Sequence, residues 1–250
     1  MDEIDQAARR WNPPGWWDIL RWPLPEKGPG GRLLIKAVVL AGRGQLRAVR
    51  GVEHILPRCD PFVLVANHSS RRDTVLMPAV LMLHRGGRPV HFLADWNFRL
   101  IPGVGMLYSC AGVITVTRKP ARPRFLNVFK RLYDHPVPSI ERARQHLAAG
   151  RSVGFYPEGV INDDPVRLLA GRSGAARLSL EAGVPIVPMG IRSVDGEAEE
   201  VEMVIGPPLT PPAVAAPAPY SAARSWHATL MSEIARLSGK TWDPPREGPS

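Results

Sequence analysis

The sequence predicts a single α/β domain with a mostly parallel central sheet of six or seven strands flanked by helices. Three observations carry this. Short apolar runs recur at 61–66, 90–94, 112–117, 152–156, 186–191 and 201–205, and most are continuous, as in strands buried on both faces. Segments of helical character fall between most of them, and strands alternating with helices imply parallel crossovers. The 250 residues suit one such domain.

The elements follow in order. Residues 11–31 hold Trp11, Trp16, Trp17 and Trp22 among prolines and glycines. Residues 32–50 read as an amphipathic helix with Arg32, Lys36, Arg43, Arg47 and Arg50 among apolar positions. Tryptophan and snorkelling cations suit a membrane interface, whereas packing of this arm on the protein's own core is the alternative. The run Pro61-Phe62-Val63-Leu64-Val65-Ala66 is the first core strand, and 70–84 is the helix after it. After the strand at 90–94, residues 97–110 give short helical pieces broken by Pro102, Gly103 and Gly105. The β-branched run 112–117 is the third strand. A helix over 139–149 has Ser139 as N-cap and Gly150 as its stop. The strand at 152–156, a helix at 173–182 ending at Gly183 and the strand at 186–191 come next. The alternating run 201–205 reads as an edge strand. Residues 206–219, rich in proline and alanine, read as a linker, 220–238 as a last helix, and the chain from Lys240 as a frayed tail. The expected organisation is an interfacial arm and helix at 1–55, a core at 56–206 that carries the chemistry, and a linker with C-terminal helix at 207–250.

Charge narrows the partners. Lys and Arg number 32 against 23 Asp and Glu, a net charge of +9. Residues 101–150 carry 8 basic and 2 acidic side chains, and 151–200 reverse the sign with 5 and 8. The basic stretches suggest an anionic partner such as a phospholipid headgroup or a phosphorylated substrate, with a solvated arginine-rich surface as the plainer reading. No nucleic-acid-binding pattern accompanies the charge, and a nucleic-acid partner is not expected. Cys59 and Cys110 are too few for a disulfide framework, and the histidines share no metal spacing. No apolar run approaches the roughly 18 residues of a membrane-spanning helix, and the acidic start Met1-Asp2-Glu3-Ile4-Asp5 shows no apolar signal-peptide core, so neither a signal peptide nor a membrane span is expected.

Four segments could carry chemistry. Asn67-His68-Ser69-Ser70-Arg71-Arg72-Asp73 lies where the first core strand meets its helix, and open α/β sheets gather ligands at carboxyl ends of strands. His68 on that turn suits a general base, with Asp73 in the first helical turn to orient the imidazole and support its cation. The same residues fit a capping box, Ser70-x-x-Asp73. Phe155-Tyr156-Pro157-Glu158-Gly159 follows another strand, and Glu158 there suits a substrate hydroxyl or a simple turn. Arg118, directly after 112–117, suits bidentate phosphate binding or a surface charge. Val184-Pro185-Ile186-Val187-Pro188 is an apolar strand start, best read as core.

The order and spacing of these four segments resemble the glycerolphosphate and lysophosphatidate acyltransferase family. That family has a His-x4-Asp block (here 67–73), a Gly-to-Arg block (112–118), a Pro-Glu-Gly block (155–159) and a Val-Pro-Ile-Val-Pro block (184–188). Gly174-Ala175-Ala176-Arg177-Leu178 also resembles the family's helix before the fourth block, so the likeness covers about 30–206. The resemblance implies that His68 deprotonates an acceptor hydroxyl, which attacks an acyl thioester of coenzyme A or acyl carrier protein while Asp73 supports the imidazole. It implies substrate binding by Asn67, Arg118, Glu158 and Gly159, with Glu158 shaping the acceptor pocket. It implies a co-substrate donor with no cofactor and no metal, a lysophospholipid or other lipid alcohol as acceptor, and peripheral attachment to an anionic membrane surface on the cytoplasmic side.

The sequence departs from the family in three places. The third block usually continues Gly-Thr-Arg or Gly-Thr-x-Ser, but here reads Gly159-Val160-Ile161-Asn162-Asp163-Asp164. Arg167 or Arg172 then stands in for the missing cation, or the acceptor is not lysophosphatidate. Arg71 and Arg72 beside the dyad suit donor phosphates. The stretch 119–138 is longer and more basic than the family pattern, and reads as a lid, a carrier-protein dock or a membrane contact.

Overall fold

The computed structural model describes residues 14–70, 73–121, 123–194, 197–215 and 217–244. One seven-stranded sheet organises them. Its strands are β1 (Leu46–Arg50), β2 (Val63–Ala66), β3 (His91–Asp95), β4 (Ile114–Val116), β5 (Val153–Phe155), β6 (Ile186–Val194) and β7 (Glu197–Ile205). They lie in the order β1-β7-β6-β2-β5-β3-β4. Every neighbouring pair is parallel except β6 and β7.

Helices cover both faces, as a parallel sheet requires. On one side lie α1 (Trp16–Arg21), α2 (Pro29–Gly42), α3 (Asp73–His84) and α4 (Val104–Cys110); on the other lie α5 (Ser139–Ala148), α6 (Gly174–Ala182) and α7 (Tyr220–Ser238). The alternation of β2 shows the two cores directly. Leu64 and Ala66 pack with α2, α3 and α4, while Val63 and Val65 pack with α5, α6 and α7.

Four expectations change. Residues 46–50 are not the end of a helix but strand β1, beyond a helix that stops at Gly42. The pairing of β1 with β7 shifts register between Leu46 and Ala48, so its buried residues, Leu46 and Val49, fall three apart and imitate a helical period. Because β1 covers β7, the strand at 201–205 is interior rather than on an edge. The described start of the tail is pinned rather than frayed, with the Thr241 N–H donating to Val166 O at 2.7 Å and the Leu168 N–H to Thr241 O at 2.9 Å; residues 245–250 lie outside the described residues. The start of the Pro/Ala-rich stretch also pairs, with Leu209 and Ile186 exchanging both backbone hydrogen bonds.

The N-terminal arm divides between the two readings of it. Ile19, Trp22, Leu24, Ile35 and Val39 are buried in the core, and the Trp22 ring packs edge-on to His84. Trp16, Trp17, Leu20 and Leu33 are exposed. Trp11 lies outside the described residues. No helix among the described residues is long and apolar enough to cross a membrane.

Candidate active site

The sheet brings the sequence-predicted segments together at carboxyl ends of its strands. β2 and β5 are parallel neighbours, with Val65 opposite Phe155. Three residues beyond that pair on each strand, His68 and Glu158 therefore come level. The Glu158 carboxylate accepts the backbone N–H of His68 through Oε1 at 3.1 Å. Its Oε2 accepts Asn162 Nδ2 at 2.7 Å and the Leu169 N–H at 3.0 Å. Glu158 is only 7% exposed, and a buried carboxylate needs such donors to offset its lost hydration. Asn162 closes the other side of the loop, its N–H donating to His68 O at 2.8 Å. Both backbone polar groups of His68 are thus held, one by Glu158 and one by Asn162.

The His68 imidazole stacks on the Tyr156 ring with centroids 4.4 Å apart. Tyr156 is itself fixed by stacking on Phe92 at 5.3 Å and by its hydroxyl, 3.4 Å from Met77 Sδ. His68 is 8% exposed, so its backbone and ring are both positioned by neighbours before any substrate arrives. Asp73 is the first residue of α3, and Arg71 and Arg72 lie outside the described residues, as does the turn of the capping box.

Two expected substrate contacts have other work. The Asn67 amide accepts from the Ile191 N–H at 2.7 Å and donates to Ile191 O at 2.9 Å. It prolongs the pairing of β2 with β6 beyond Ala66, where β2 ends. It is 1% exposed. Glu158 likewise engages both oxygens with the loop. Neither role follows from motif spacing, because both depend on backbone groups of strands and loops distant in sequence.

Beside Tyr156 opens a cleft of about 1090 Å³. Its walls include Arg118, Lys119, Gly159 and Arg172, with Ser139 of α5 and Arg177 of α6. His68 is not in its wall; Tyr156 stands between the two. Gly159 sits at φ +69°, a left-handed conformation that favours glycine, beside the Arg172 guanidinium. Lys119 Nζ donates to Gly159 O at 3.3 Å, tying the second and third segments together. Gly112 opens the second segment at φ +57°, where a Cβ would stand 2.6 Å from His91 Nδ1.

The cleft's charges differ in how far they are committed. Burial pushes the Glu181 carboxyl up, but hydrogen bonds and charge from Arg177 and Arg144 outweigh it and hold the group below the ordinary glutamate value. Those two arginines are 2.7 Å from it. The Arg118 and Arg172 guanidinium groups have no hydrogen-bond or ion-pair partner among the described residues, and both are exposed in the cleft wall. Arg167 is not in that wall; its backbone joins the turn held by Asp164 and Asn162. Asp164 accepts the Val166 and Arg167 N–H groups, which keep its carboxyl below the usual aspartate value.

Sequence reasoning missed Asn162 and Tyr156. The signal for Asn162 was present: Asn-Asp-Asp-Pro after two apolar residues is turn chemistry, and its Oδ1 accepts the Asp164 N–H at 3.1 Å.

A family model described as Acyltransferase matches residues 47–192. The chloroplast 1-acyl-sn-glycerol-3-phosphate acyltransferase LPAT1 of Arabidopsis thaliana is 27% identical over 141 residues, 56% of this chain and 34% of that protein. The human 1-acyl-sn-glycerol-3-phosphate acyltransferase alpha is 32% identical over 145 residues, 58% of this chain and 45% of that protein. The matched segment thus spans less than half of either relative. Among solved structures, the 1-acyl-sn-glycerophosphate (LPA) acyltransferase PlsC of Thermotoga maritima shares the fold, with a TM-score of 0.54 at 18% identity over 97% of this chain and 86% of that one.

Proposed function

The chain belongs to the acyltransferase family, and from that premise we propose that it moves a fatty acyl group from a thioester donor to a hydroxyl of a lysophospholipid, with 1-acylglycerol-3-phosphate as the preferred acceptor. The observation that carries the proposal is the loop bearing His68, clamped on both backbone groups beside a cleft with two uncommitted guanidinium groups. An acceptor phosphate held by Arg118 and Arg172 gains charge-assisted hydrogen bonds in bidentate geometry. The acceptor's free hydroxyl then passes Tyr156 to reach His68.

In this reading His68 removes the hydroxyl proton as the oxygen attacks the thioester carbonyl, and Asp73 supports the resulting imidazolium. The thiolate of coenzyme A or acyl carrier protein leaves. No covalent acyl-enzyme, cofactor or metal takes part. The protein works peripherally at the cytoplasmic face of a membrane that supplies the acceptor.

A second reading keeps the reaction and changes the acceptor to a lyso-aminolipid, glycolipid or other lipid alcohol. It is favoured by Val160 and Ile161, two partly exposed apolar residues where the family pattern places threonine and arginine. A thioester-release assay with palmitoyl-coenzyme A and a panel of acceptors separates the readings. Release that depends on lysophosphatidate supports the first, and release only with an acceptor lacking a phosphomonoester supports the second. No acceptor-dependent release from either coenzyme A or carrier-protein thioesters would overturn both.

A further inference from the structure

The basic stretch after Arg118 folds as a closed loop whose amphipathy is inverted. A 3-10 helix spans Arg124–Leu132. Its inward residues are Leu126, Asn127, Lys130 and then Tyr133, all partly buried. Asn127, a polar residue, makes the inner contacts: its Oδ1 accepts the Ala121 N–H at 2.8 Å and its Nδ2 donates to Arg124 O at 2.6 Å. The outward residues are Phe125, Val128, Phe129 and Leu132, exposed at 75%, 71%, 43% and 74%. In a 3-10 helix residues three apart share a row, so Phe125 with Val128 and Phe129 with Leu132 form two neighbouring outer rows, while Asn127, Lys130 and Tyr133 follow the inner one.

The neck of this loop is fastened at both ends. Trp96, fully buried, donates through Nε1 to Lys119 O at 2.9 Å and packs near the Tyr133 ring at 6.0 Å. The Thr117 hydroxyl donates to Asp134 Oδ1 at 3.0 Å. The apolar side chains are therefore held outward by an anchored base. The same base carries Lys119, which lines the cleft.

A water-facing surface rarely gathers four large apolar side chains on one short segment without a partner. Charge selects the partner. From 118 to 133 the chain holds Arg118, Lys119, Arg122, Arg124, Lys130 and Arg131, with no Asp or Glu. Apolar side chains flanked by cations match the boundary between acyl chains and anionic headgroups.

We propose that 124–132 inserts its outer face into an anionic lipid bilayer, setting the rim of the cleft at the membrane surface. The inference rests on the reading that the acceptor is a membrane lipid, and gives that lipid a short route from bilayer to cleft. Phe125 and Phe129 enter the acyl region, and the exposed Arg124 and Arg131 meet the headgroups.

The test is sedimentation of the full chain with vesicles of phosphatidylglycerol and phosphatidylcholine, against vesicles of phosphatidylcholine alone. The Phe125→Ser/Phe129→Ser double variant is measured in the parent and in a Trp16→Ser/Trp17→Ser background, so the exposed tryptophans cannot mask a loss. The expected result is binding that needs phosphatidylglycerol and weakens about tenfold or more on losing both phenylalanines, in both backgrounds. An unchanged Tm shows that the fold is kept. Binding equal to the parent in both backgrounds overturns the proposal, as does no binding of the parent to anionic vesicles. It is also overturned if the double variant instead abolishes binding to acyl carrier protein or self-association in the ultracentrifuge. No thioester or acceptor is present, so the result is independent of whether acyl transfer occurs.

Discussion

Replacing Glu158 with glutamine separates a residue that binds substrate from one that builds the loop under the base. The carboxylate accepts three hydrogen bonds: the His68 N–H on Oε1, and Asn162 Nδ2 with the Leu169 N–H on Oε2. A glutamine keeps one acceptor oxygen. Its better orientation leaves that oxygen with Asn162 and Leu169 and turns its NH2 toward the His68 N–H, donor against donor. One hydrogen bond to a charged group is lost, about 1.5–3 kcal/mol. If the whole loss falls on the placement of His68 in the transition state, kcat drops roughly 10- to 150-fold. Whatever share of it falls on the folded ground state instead lowers Tm, by up to about 3–12 °C for a domain of this size. Steady-state kinetics with varied acceptor, alongside calorimetry, read both effects. The expected outcome is a fall in kcat and Tm with acceptor KM little changed. A raised acceptor KM with kcat intact would refute the reasoning and return Glu158 to the acceptor pocket, where the sequence alone put it.

Other outcomes follow from the same geometry. Asn67→Ala leaves the buried N–H and C=O of Ile191 without their side-chain partner, at about 1–3 kcal/mol each; thermal unfolding should fall by on the order of 10 °C, and an unchanged Tm contradicts the role. Arg118→Ala and Arg172→Ala should each raise KM for a phosphate-bearing acceptor about 10-fold or more; an equal effect on an acceptor with an uncharged head would remove phosphate binding as the cause. Stability should fall on acidification. Burial holds the His84 pKa down at about 3 and that of His146 at about 4, with His91 and His227 also lowered by burial. The unfolded chain takes up these protons near pH 6.5 while the folded one resists, so stability is lost as pH drops below 6.5. His84 alone accounts for about 2 kcal/mol between pH 7.5 and 5. Urea titrations at several pH values check the sign, and stability that rises toward pH 5 would contradict it.

The fold was legible wherever burial on both faces produced continuous apolar runs, as in β2 and β6. It is not legible at β1, where the register shift spaces Leu46 and Val49 like a helix, nor at β7, whose alternation reads as an edge strand although β1 covers it. The tail was misread because what fixes it is long-range: Thr241 pairs with Val166, and Lys240 Nζ donates to Asp164 O at 2.6 Å. At the site, the strand-end positions of His68, Arg118 and Glu158 could be read from the order of motifs. What each side chain touches could not. Asn67 and Glu158 are polar residues in functional motifs, yet both bond to backbone groups that only the folded sheet brings near. Arg172 lay in no motif, and it reaches the cleft because its N–H donates to Pro157 O at 2.9 Å, folding 172 back over Gly159.

The claim at the centre of the account is that His68 is the base. Single-turnover acyl transfer, with the acylated lipid detected by mass spectrometry, tests it in the parent and in His68→Ala with its Tm matched to the parent's. Product formation should fall by about 100-fold or more in the variant, the scale of a positioned general base, while lysophosphatidate still binds. Product formed at the parental rate by the alanine variant would contradict it.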